Sequence, residues 1–119
     1  MNQPSELRGR LRTALRAAMK ERDRPAASAL RSALAAIDNA ESVDVADARP
    51  AGAIEDSAAG LGAAEAARRH LDAEQIAAIV RTEITERHDA AEEYDRLGRG
   101  DRAGELRREA QALSSQLDS

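Results

Sequence analysis

Between Asp72 and Leu97 the chain reads DAEQIAAIVRTEITERHDAAEEYDRL, its longest unbroken helical pattern. Stepped at 100° per residue, Ile76, Ile79, Val80, Ile84, Ala90, Ala91, Tyr94 and Leu97 fall on one side. Thr82, Thr85, His88, Asp89, Glu92, Glu93 and Arg96 fall on the other. Glu83 and Arg87 break the pattern by projecting into the apolar stripe. They stand four residues apart with the acid first, the favourable order for an ion pair within one helix. Asp72 followed three residues later by Gln75 makes a capping-box start. Gly98 stands where helices commonly end in a left-handed residue.

The same periodicity predicts three further helices. The first covers about residues 5–22, capped by Ser5 behind Pro4, with Leu7, Leu11, Ala14, Leu15, Ala18 and Met19 inward. Asp23-Arg24-Pro25 reads as a turn whose Asp caps a second helix of about 25–39, with Pro in the first turn where its missing N–H costs least. Ala26, Ala27, Leu30, Ala33, Leu34 and Ile37 form its inner stripe. Asp101 opens a last helix of about 101–117, striped by Ala103, Leu106, Ala110, Leu113 and Leu117. Residues 40–71 hold Arg49-Pro50-Ala51-Gly52 and Ser57-Ala58-Ala59-Gly60-Leu61-Gly62, and are expected as an acidic connector with one helical turn near Ala63–Arg69. Short links within each pair and a long one between them predict a single all-α domain over residues 1–119. Its architecture is a bundle of two antiparallel helical hairpins joined by a long acidic loop.

Composition makes this bundle's core thin. Alanine supplies most of the 42% hydrophobic content, and Tyr94 is the sole aromatic residue. Ala-lined helices approach closely but bury little area each, at about 25 cal/mol per Å². Self-association into a homo-oligomer is therefore one expectation. With no cysteine there is no disulfide or thiolate chemistry, as expected of a reducing compartment. No apolar run approaches the ~18 residues of a membrane span, and the amino terminus lacks a signal-type apolar segment. A cytoplasmic protein is the expectation.

The formal charge of −4 is unevenly spread. Residues 5–24 hold seven basic side chains against three acidic, whereas residues 38–65 hold one basic against seven acidic. Arg8, Arg12, Arg16 and Lys20 recur every four residues along one flank of the first helix, suited to phosphates of an RNA backbone or to a solvated helix face. Arg31 on the second helix joins them as a candidate RNA- or partner-binding residue. Without stacking aromatics, base readout of single strands is not expected.

Catalytic chemistry has little to build on. His70 lies in the connector and His88 on an outer helix face; His88 with Glu92 supplies two metal ligands, too few for a site. No di-iron Glu-x-x-His repeat, phosphate-cradling Gly-Lys loop or nucleophile elbow occurs. No catalytic residue, metal or cofactor is expected. Glu83 and Arg87 admit two readings, a structural registry pair reaching Asn39, Arg31 or the start of the first helix, or part of a partner-docking surface.

Three stretches, Leu11–Asp23, Leu30–Glu41 and Glu83–Asp101, followed by the Glu-bearing last helix, resemble the GatB/YqeY family. These are small YqeY-like proteins whose domain recurs at the tail of the B subunit of aspartyl/glutamyl-tRNA amidotransferase. By that resemblance Met19, Lys20, Asp23, Leu30, Arg31, Asn39, Glu83, Arg87, Tyr94, Gly98 and Arg99 hold family-pattern positions. Two departures stand out. The family's second, smaller helical subdomain is not expected within residues 1–119, and Arg102 takes a position usually apolar. The resemblance implies a module that binds tRNA or a tRNA-handling protein. Its alternative implication is an accessory to a glutamine-dependent amidotransferase, a carbon–nitrogen ligase with glutamine as amido-N-donor. The family's catalytic part lies outside the YqeY-like tail, so that reaction is not expected of this chain alone.

Overall fold

A computed structural model describes residues 4–47 and 71–118. Four helices make up the described fold, α1 (Pro4–Glu21), α2 (Arg24–Asp47), α3 (Ala73–Arg96) and α4 (Gly100–Leu117), with no strand among the described residues. The protein is an all-α helical bundle, and no helix among the described residues is long and apolar enough to cross a membrane.

Backbone chemistry at the helix ends makes the hairpins. At the end of α1, Arg22 adopts a left-handed φ of 59°; its N–H bonds the Met19 carbonyl and that of Asp23 bonds the Ala18 carbonyl. These are the two bonds of a Schellman stop, completed by an arginine where glycine is usual. Asp23 then caps α2 by accepting the Ala26 N–H at 3.2 Å. The capping box of α3 is complete: Asp72 accepts the Gln75 N–H and donates its own N–H to the Gln75 side chain, both at 2.8 Å. Leu71 just before this cap and Ile76 in the next turn share one core cluster, as in a hydrophobic staple. Gly98, at φ 75°, closes α3 with bonds to the Asp95 and Tyr94 carbonyls from Gly98 and Arg99.

The end of α2 departs from the pattern-based expectation, and the other helix ends lie within one residue of it. Helix α2 continues eight residues past Asn39 to Asp47, so residues 40–47 are helical and not connector. Glu41 explains this: it lies four residues beyond Ile37 on the same inward stripe and is buried against Arg8. No helix breaker intervenes before Pro50. Helix α1 begins at Pro4, and the expected Ser5 side-chain cap lies outside the described side chains. Helix α4 begins at Gly100, and its cap residue Arg99 makes no side-chain cap bond; Asp101 sits inside the first turn, where its negative charge is favourable beside the positive end of the helix dipole. The expected turn at Ala63–Arg69 lies outside the described residues, as does His70.

The main core joins all four helices through Leu7, Leu11, Leu30, Ile37, Ile76, Val80 and Leu113, with Ala18, Ala27, Ala29 and Ala33 letting backbones approach. Two inner-stripe expectations are corrected. Met19 is 52% exposed, because it stands 80° round α1 from fully buried Leu11, and Leu97 is 62% exposed because it follows the last turn of α3. A second, smaller cluster of Ala91, Ala103 and Leu106, flanked by Ala90 and Tyr94, draws only on α3 and α4. The outer half of that hairpin thus packs on itself, braced by an Asp95–Arg107 ion pair and by Arg99 stacked 5.4 Å over the Tyr94 ring.

Candidate nucleic-acid interface and the buried ion cluster

Glu83 and Arg87 lie on the inner side of α3 near its middle, with side chains 14% and 12% exposed. Arg87 Nη1 donates to Glu83 Oε1 at 3.0 Å and to the Glu83 carbonyl at 3.1 Å. Its Nε donates to Glu109 Oε1 of α4 at 2.9 Å. Ser32 of α2 donates its hydroxyl to Glu83 Oε1 at 2.6 Å, and Arg102 stands 3.5 Å from the other Glu109 oxygen. One guanidinium is therefore shared by two carboxylates from different helices, and every buried side-chain polar atom among the described residues has a partner.

The partners differ from the expected Asn39, Arg31 or first-helix start. Both Asn39 and Arg31 are exposed. Ser32, one residue on from Arg31 and 100° round the helix, is the α2 residue that meets Glu83. Glu109, buried and decisive here, was legible: it sits three residues after Leu106 and four before Leu113, a charge within an apolar stripe. Arg102 lies 3.5 Å from both the Glu105 and the Glu109 carboxylates and so bridges them.

The five candidate binding cations separate into two groups. Arg8 is removed from any ligand-facing set: its guanidinium is bonded at 3.0 Å to Glu41, whose side chain is 8% exposed. Arg12, Arg16, Lys20 and Arg31 are exposed, and none has a carboxylate partner among the described residues. Arg16 makes only a 3.3 Å bond to the Thr13 hydroxyl. Arg22 in the α1–α2 turn and Arg24 at the start of α2 are also exposed. The acidic neighbours Glu21 and Asp23 leave this row with a basic excess. Such a row touches phosphates as point charges and forks, which positions a backbone without reading bases.

His88 and Glu92 are both exposed, and no cluster of three or more metal-capable side chains occurs among the described residues. Arg96, on the outer side of α3, is held above its usual protonation range first by its hydrogen bond to Glu93 and then by that carboxylate's charge; it lies outside both features. No family model matches the chain, and neither does a curated protein or a solved structure.

Proposed function

We propose that this chain is a non-catalytic helical module that binds the phosphate backbone of structured RNA through Arg12, Arg16 and Lys20 of α1, assisted by Arg31. The observation that carries the reading is this set of exposed cations, which have no carboxylate partner among the described residues, while Arg8 of the same helix is tied to Glu41. A tRNA is the first RNA to test, because the three sequence stretches resemble the GatB/YqeY family. Labelled tRNA titrated with the protein is expected to bind, and Arg12, Arg16 and Lys20 together changed to Ala are expected to weaken binding at least tenfold. Equal binding by wild type and triple variant refutes the assignment.

A tRNA-handling protein is the alternative partner on the same resemblance, as is an accessory role to a glutamine-dependent tRNA amidotransferase. Glutamine-dependent amide transfer by the purified chain alone would overturn the non-catalytic reading.

A further inference from the structure

Helix α1 carries a second exposed feature, about a third of a turn from its basic row. A groove of about 840 Å³ runs along α1 from Glu6 to Glu21, bounded on its far side by Ala112, Ser115 and Gln116 of α4. Ala14, Ala18, Ala26 and Leu30 lie beneath it, so its floor is the apolar core itself. The span from Glu6 to Glu21 is about 22 Å at 1.5 Å per residue, or four helical turns. Gly9 is the anomaly. Within α1 it needs no positive φ, and a Cβ built on it meets nothing within 4 Å. A mid-helix glycine costs about 0.5–1 kcal/mol relative to Ala, and nothing inside this chain uses the missing side chain.

The charges on the rim state what the groove takes. Glu6 stands at one end, Glu21 and Asp23 at the other; all three are exposed and none has an ion-pair partner among the described residues. The one cation on the rim, Arg10, is turned across the groove's end to donate to the Gln116 carbonyl at 3.0 Å. We infer that this groove docks a basic amphipathic helix of a partner protein, its small apolar side chains against Gly9, Thr13 and Ala17 and its Lys or Arg residues on Glu6, Glu21 and Asp23. The absent Gly9 side chain lets the partner backbone approach. Helix α1 then serves two occupants, phosphates on its basic row and a cationic helix on its acid-rimmed groove.

The test is a titration of the full chain with a fluorescent 16-residue Ala/Leu helix bearing Lys on its polar face, beside a control with Glu in place of Lys. The Lys peptide is expected to bind and to perturb the backbone amides of Gly9, Thr13, Ala17 and Ala112; the Glu peptide is not. Glu6→Lys with Glu21→Lys should weaken binding at least tenfold, and so should Ala17→Leu, whose exposed position leaves the fold intact by circular dichroism. Arg12→Ala with Lys20→Ala should not weaken peptide binding, which separates this inference from the RNA reading. No binding of the Lys peptide, or equal binding by the reversed-rim variant, overturns it. A wild-type dimer in sedimentation that Ala17→Leu makes monomeric also overturns it, assigning the groove to a second copy of the chain.

Discussion

Replacing Arg87 by Ala removes the cation that two nearly buried carboxylates share. Arg87 makes one bond to Glu109 at 2.9 Å and one to Glu83 at 3.0 Å, all three side chains being less than 15% exposed. At an effective dielectric near 20, each such pair represents about 4 kcal/mol of attraction at 4 Å, much of it offset by the dehydration of the groups involved. What the variant loses is larger than that net balance. Glu83 and Glu109 stay in place without Arg87, Ser32 satisfies only part of Glu83, and Arg102 approaches Glu109 only at 3.5 Å. Breaking a buried pair from one side costs about 3–5 kcal/mol, against a total stability of about 5–15 kcal/mol for a domain of this size. Helicity followed at 222 nm through a urea titration and a thermal scan reads the loss, with the melting temperature expected to fall by about 15–30 °C. The triple change Glu83→Gln, Arg87→Met, Glu109→Gln should recover most of it, since no isolated charge remains. If Arg87→Ala lies within 1 kcal/mol of wild type, the cluster does not fasten α3 to α4 and the reasoning fails.

Three other changes probe separate parts of the fold. Arg8→Ala strands the buried Glu41 carboxylate and should cost about 2 kcal/mol in a denaturant titration, while leaving RNA affinity close to wild type because Arg8 is not in the exposed row. Arg22→Gly relieves a left-handed arginine at φ 59° and should stabilise by about 0.5–1 kcal/mol, the gain being reduced by glycine's greater unfolded freedom. Gly9→Ala fills open space on α1 and should raise stability by a similar 0.5–1 kcal/mol, about the helix-propensity difference. A loss at either glycine-related position would show that local backbone preference is not what governs it.

How far the fold was legible from the residues depended on where the signal resided. The α3 start was written in two residues, Asp72 and Gln75, because a capping box is local chemistry, and the α3 stop was written in Gly98. The α1–α2 turn was legible through Asp23 and Pro25, yet the left-handed residue that closes α1 is Arg22, which no residue preference announces. The end of α2 lacked such a local signal: its last described inward position is Glu41, a charge whose burial depends on Arg8, 33 residues away. The ion cluster shows the same division. Glu83 and Arg87 stood out by spacing within one helix, whereas Ser32 and Glu109 are brought in by the packing of α2 and α4. Arg8 shows the converse: regular spacing placed it with Arg12, Arg16 and Lys20, and tertiary pairing took it out.

The proposed function requires that Arg12, Arg16 and Lys20 contact RNA phosphates. The dependence of tRNA affinity on salt measures this most directly, because each neutralised phosphate releases counterions and adds about 0.7–0.9 to the slope of log affinity against log salt. Wild type should lose affinity steeply as salt rises, and the triple alanine variant should show a slope shallower by about 2–3, while Arg8→Ala keeps the wild-type slope. An unchanged slope in the triple variant, or the absence of tRNA binding by wild type at low salt, contradicts the account.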